Sequence, residues 1–195
     1  MTYRFDFSVL LPYWEIFLRG CVMTLILATV STVIGLLLGL LTVLAKRCRF
    51  LVLRKLATVY VEVIRNTPFL VQVLFIFFGL PELGISLSPQ TAAVLALSLN
   101  LGAFSAEIIR GGIDAIPRGQ AEAGAALGLS PLQTFGYVIL KPALRVIFPA
   151  LSGQFVLLLL TTSIVSSISA EELTSAAQSV DSLTCLLYTS PSPRD

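Results

Sequence analysis

Glu62, Arg65, Asn100 and Glu107 each interrupt an apolar stretch, and they carry most of the chemistry this chain could perform. A carboxylate among apolar residues can meet an ammonium group, pass on a proton or neutralise a nearby cation. Asn100 and Glu107 share a helical face by their spacing. Glu107 is also followed three residues later by Arg110, the separation of an intrahelical ion pair. Two roles are therefore open to Glu107: contact with a cationic ligand group, or a salt bridge to Arg110. Glu62 and Arg65 repeat that spacing and are expected to pair with each other. Histidine is absent, which excludes imidazole metal sites and histidine-based catalysis. Cys21, Cys48 and Cys185 are far apart and form no CxxC pair, so they read as single buried thiols. There is no nucleophile–base pair, metal set or cofactor loop, so no residue is assigned as catalytic or metal-binding. No GxxxxGK[ST] loop exists, because the three lysines follow Ala45, Arg54 and Leu140. Any nucleotide must be held by another protein.

The elements that must position these residues are membrane helices. The chain is 56% hydrophobic and 12% charged, about half the charge of a soluble domain, with a mean hydropathy of +0.91. Apolar stretches predict spans over about 21–44, 56–80, 92–109 and 146–168. The first is charge-free and about 36 Å long as a helix, enough to cross with tilt. Its Ser31, Gly35 and Gly39 fall on one face, where another helix can approach closely. The second contains Arg65-Asn66-Thr67-Pro68 and is expected to kink or unwind at Pro68. The fourth ends in a hydroxyl-rich tract that includes Thr161 and Thr162. Met1–Glu15 lacks the pattern of a signal peptide, and Tyr13, Trp14 and Phe17 resemble an interfacial aromatic belt. Lys46–Lys55 and Arg110–Arg145 hold most of the basic residues, which places both in the cytoplasm and the N-terminus outside. Cys185–Asp195, CLLYTSPSPRD, has no helical period, and 184–195 is set apart as a non-native tail.

Between the last two spans lies a long polar segment, 110–145. Gly111, Gly112, Pro117 and Gly119 are expected to break the helix as it leaves the membrane. Gln120–Leu127 is Ala-rich and predicts a short helix stopped by Gly128. Ser130, Pro131 and Gln133 carry the signature of a capping box with proline in the first turn. The outcome is helix–Gly–helix at the water surface. Ala123, Gly124, Ala125 and Ala126 leave it a shallow face suited to docking in a groove of another protein.

This segment resembles the EAA loop of ABC importer permease subunits. The match is Glu122-Ala123-Gly124, then Gly128, then Val138-Ile139-Leu140-Lys141-Pro142. It departs at Gly124, where the family has alanine, and at Pro142, which comes one residue late. Arg65-Asn66-Thr67-Pro68, Ala106–Gly112, Gly119–Ala123, Thr162–Ser166 and Glu172-Leu173-Thr174 resemble the polar amino acid subfamily (His/Glu/Gln/Arg/opine-type). The resemblance covers about residues 10–183 and implies an all-α, polytopic membrane helical bundle of the type I ABC importer kind. Such permeases usually have five spans; four are visible, so a C-terminal truncation is expected.

The resemblance also implies a division of labour. Two permease subunits, alike or related, form the pore in a bacterial cytoplasmic (inner) membrane. A separate ABC ATPase binds ATP and grips the loop, and a periplasmic or lipid-anchored solute-binding protein delivers an amino acid. Gly119, Gln120, Glu122, Ala123, Gly124, Gly128, Ser130 and Pro131 would form the coupling loop. Asn66, Thr67, Asn100, Glu107, Thr161 and Thr162 are candidates for the substrate pathway. Some members carry Lys-Asp where this chain has Leu160-Thr161, which leans against a cationic substrate. The chain itself would be a transporter subunit with no cofactor and no nucleic-acid partner. The alternatives are an ion- or proton-coupled carrier working through Glu107, or a scaffold that moves no solute.

Overall fold

The structure, a computed structural model, describes residues 7–184. Within them the chain is helical, and its elements are arranged around one close pair. Helix α1 runs from Trp14 to Arg47 and α4 from Pro89 to Asp114. Membrane helices gain little by hiding apolar surface from lipid, so association depends on close van der Waals packing of small residues. Here Ser31, Gly35, Gly39 and Thr42 of α1 are buried, as are Ala92, Ala93, Ala96, Ala103 and Ala106 of α4. A Cβ on Gly35 would lie 2.8 Å from Leu101 Cβ, and one on Gly39 2.8 Å from Ser105 Cβ. The small-residue stripe is the surface on which α4 rests. Cys21 falls outside it and is exposed, while Cys48 is half-buried; neither is the buried thiol expected. Cys185 lies outside the described residues.

The second crossing is broken. Helix α2, Leu51–Asn66, is followed by α3, Phe69–Leu74, and the helical path bends by 113° between Leu51–Asn66 and Phe69–Leu83. Thr67 is extended (φ −108°, ψ 133°), as expected of a residue before proline. Beyond α3 the helix continues as a π-helical stretch, Phe75–Gly79, and a 3-10 turn, Leu80–Leu83. The direction of α2 follows from its ends. It is about 24 Å long, so a course back along α1 would bury its far end deep in the bundle. Arg65, at that far end, instead reaches Glu107 at 3.7 Å, and Glu107 also holds Lys46 at the C-terminal end of α1. Thus α2 lies across the C-terminal ends of α1 and α4, with Val61 packed among Val43, Ala103 and Ala106. The sequence predicted a kink within a span; the structure places a transverse helix before it.

Two further expectations change around the polar segment 110–145. Helix α4 runs through Gly111 and Gly112 and ends at Asp114, because Gly112 is used for close contact with Ile147 of the last span. The chain turns only at Ala115–Pro117, before α5, Arg118–Ala126, which begins ahead of Gly119. Second, the helix opened by Ser130 is not a separate surface helix. Its first turn, α6 (Pro131–Gln133), a π-helical stretch (Thr134–Ile139), α7 (Leu140–Thr161) and a 3-10 stretch (Thr162–Ile168) follow without interruption. Pro142 offers no N–H and its ring crowds the preceding turn; Leu140 N–H reaches back to Phe135, a π-type bond.

The opposite half of the bundle is closed by Leu27, Ala28, Val73, Leu97, Leu158, Val165 and Ile168. After a left-handed Ser169 (φ 60°), the final helix α8, Leu173–Thr184, packs on α1. Its start is capped by Glu172, whose carboxylate accepts from Thr174 N–H at 2.8 Å and Ser175 N–H at 2.6 Å. A Cβ on Gly20 would sit 2.8 Å from Ala176 Cβ. Thr184, placed with the tail on sequence grounds, is the last residue of this helix. The remainder, 185–195, is outside the described residues.

Candidate functional site

The surface hairpin is built by strong local signals at both of its corners. Gly128 is left-handed (φ 75°). Its N–H donates to Ala125 O at 3.0 Å, and Leu129 N–H donates to Gly124 O at 3.1 Å. These two bonds form a Schellman motif, which satisfies the last carbonyls of α5. Ser130 then accepts from Gln133 N–H, and Gln133 Oε1 accepts from Ser130 N–H at 2.9 Å, a complete capping box. Pro131 lacks the N–H that the first helical turn would leave unpaired.

The small-residue face of α5 is divided. Gly124 is buried, and a Cβ there would come within 2.6 Å of Thr134 Cγ2. Gly124 is therefore used inside the hairpin, to let α5 rest on the π-helical stretch, and does not serve an outside partner. Glu122, Ala123, Ala125 and Ala126 remain exposed, as does Gly119; Gln120 is half-buried. Two exposed leucines of the hairpin were not singled out in the sequence. Leu127 is 79% exposed and Leu132 85%, one on each side of the Gly128 corner. A tight, doubly capped turn that presents two leucines to water is a docking knob in form.

The second cluster lies at the C-terminal ends of α1, α2 and α4. Glu107 Oε1 accepts from Lys46 Nζ at 2.7 Å and its Oε2 from Arg110 at 2.7 Å. Arg65 stands 3.7 Å from the same Oε2, with its guanidinium 5.4 Å from the Phe104 ring centre. Arg110 continues to Asp114 at 3.1 Å, and Asp114 to Arg47 at 3.6 Å. One carboxylate thus fastens three helices. The pair with Arg110 was among the two roles read from the spacing. The pairing of Glu62 with Arg65 does not form, because Arg65 turns to Glu107. Glu62 has no ion-pair partner among the described residues. It lines a cavity of about 450 Å³ with Lys46, Arg65, Asn66, Phe104 and Glu107.

The candidate pathway residues fall into three groups. Asn66 and Glu107 meet at this cavity. Asn100 lies higher and donates to Gln72 Oε1 at 3.1 Å. Gln72 is the brace of the break: its amide donates to Ile64 O at 2.7 Å and Thr67 O at 2.8 Å, carbonyls that the broken helix would leave open. It was visible in the sequence as the one polar residue of Phe69–Leu80. Thr67 donates to Val63 O, Thr161 to Leu157 O and Thr162 to Leu159 O, so each hydroxyl is spent on its own helix. Neither Thr161 nor Thr162 lines the cavity.

Residues 31–182 match the family of binding-protein-dependent transport system inner membrane components. The chain belongs to that family. This permease is 41% identical to the L-cystine transport system permease protein TcyB of Bacillus subtilis over 86% of its own length and 72% of the relative's. It is 40% identical to the glutamine transport system permease protein GlnP of Escherichia coli, covering 91% and 82% of the two chains. Among solved structures it resembles an amino acid ABC transporter crystallised with histidines. The TM-score is 0.88 at 40% identity, over 95% of this chain and 86% of that one. A MetNI methionine transporter, at 23% identity and TM-score 0.69, shares the fold. The permease is an all-α, type I membrane bundle; among the described residues three helices are long and apolar enough to cross a membrane, and one bent pair makes a fourth candidate.

Proposed function

We propose that this permease is the membrane subunit of an ATP-driven importer of polar amino acids, moved by a separate ATPase that grips the hairpin 118–133. The carrying observation is the doubly capped corner with Leu127 and Leu132 turned to water. A partner with a shallow apolar groove covers those leucines, and the capped backbone passes its movement on without fraying. The rod Pro131–Ile168 starts at this corner and continues into the bundle, so a push on the hairpin is delivered to the last span.

The substrate class rests on the relatives, named for L-cystine and glutamine. A second permease subunit and a solute-binding protein complete the reading, with the N-terminus outside by the distribution of basic residues. The ion-coupled alternative drew on Glu107 as a lone intramembrane acid. With Lys46 and Arg110 both at 2.7 Å, that motive is gone.

The test is cross-linking from Leu132→Cys in cells that express the complete transport system. Capture of an ATP-hydrolysing subunit, and loss of both capture and uptake in Leu132→Asp, is the expected result. Uptake that persists on an ion gradient alone, with no ATPase captured, overturns the reading.

A further inference from the structure

The basic segment Lys46–Lys55 contains five cations and no acid, and the fold uses only part of it. Lys46 is paired with Glu107 and Arg47 with Asp114. Arg49, Arg54 and Lys55 are exposed and have no ion-pair partner among the described residues. They flank the start of α2, which lies across the C-terminal ends of α1 and α4. Helix α2 turns Ala57 and Val61 to the protein. Val52, Leu56, Val59 and Val63, at spacings of four, three and four, form a separate apolar stripe that stays exposed. An in-plane helix with an uncovered apolar stripe beside unmatched cations has the composition of an interfacial helix.

We propose that α2 docks on the anionic inner leaflet: the Val52–Val63 stripe enters the acyl chains, and Arg49, Arg54 and Lys55 hold phosphate headgroups. Charge decides for lipid over a second copy of this chain. Two copies meeting on this face bring six such cations together against at most two carboxylates, the Glu62 of each α2, whereas an acidic leaflet supplies the missing charge. The consequence is mechanical. The helix ends at the Thr67–Pro68 break, so the leaflet fixes the depth and tilt at which the second crossing starts. This inference does not depend on what powers transport.

The test uses bromolipid quenching. The full chain carrying Trp14→Phe and Leu56→Trp, so that the only indole lies in the stripe, is placed in nanodiscs of phosphatidylcholine. Brominated phosphatidylglycerol or brominated phosphatidylcholine is then added in steps. The indole is expected to be quenched at lower mole fractions of the anionic lipid. Arg54→Gln and Lys55→Gln each reduce that preference about fivefold, while Arg54→Lys and Lys55→Arg, which keep the charge, retain it. Equal quenching by both lipids, or a preference unchanged in the glutamine variants, overturns the proposal. Failure of either lipid to quench overturns it too, because protein then covers the stripe.

Discussion

Replacing Glu107 by glutamine removes one negative charge from the point where α1, α2 and α4 are fastened, with almost no change of shape. The side chain is 18% exposed, so its pairs are intermediate between surface and buried ones. A hydrogen bond to a charged group contributes about 1.5–3 kcal/mol, and an exposed pair under about 1. The Lys46 contact, 2.7 Å long and equally sheltered on both sides, belongs to the first class. Arg110 and Arg65, about half-exposed, belong to the second. We expect Glu107→Gln to lower stability by about 2–3 kcal/mol, read as a fall in the denaturation midpoint of the purified protein. Lys46→Met in the same background should add much less than it does alone, since its partner charge is already gone. Uptake should fall in proportion to folded protein, with the ranking of amino acids unchanged. A variant as stable as the parent, with selectivity shifted against substrates rich in positive charge, refutes the fastening role and makes Glu107 a ligand contact.

Three further outcomes follow from the packing. Gly124→Ala restores the alanine usual in the EAA triplet but drives a methyl into Thr134; it should destabilise by about 1–2 kcal/mol, and Thr134→Ala should recover most of that in a double-mutant cycle. Gly112→Ala places a Cβ against Ile147 and should cost about 1–3 kcal/mol, relieved by Ile147→Ala; a neutral Gly112→Ala shows that α4 and the last span do not meet there. Glu172→Ala removes the acceptor of two N–H groups at the start of α8 and should cost about 1–2 kcal/mol, with faster amide exchange confined to Thr174 and Ser175.

The capped corner at Gly128–Ser130 was plain in the sequence because its determinants are local. Ser130 and Gln133 lie within one helical turn, and Gly128 reports a backbone angle that few other residues adopt. The stripe Ser31, Gly35 and Gly39 was equally legible, since helical periodicity alone puts these residues on one face. The break at Pro68 follows from a missing donor. Only the tertiary structure decided which partners distant groups take. Lys46 lies 61 residues from Glu107 and looks like any other cation of its cluster until α1 and α4 are laid together. Arg65 abandoned the nearby Glu62 because α2 crosses the ends of α1 and α4 and sets it beside Glu107, which already gathers two cations. Gly112, which reads as a helix breaker, proved to be a contact surface, because it answers to Ile147 on a helix from elsewhere in the chain. Sequence fixes what a residue can do within its own turn of backbone; the meeting of helices determines which of those possibilities is used.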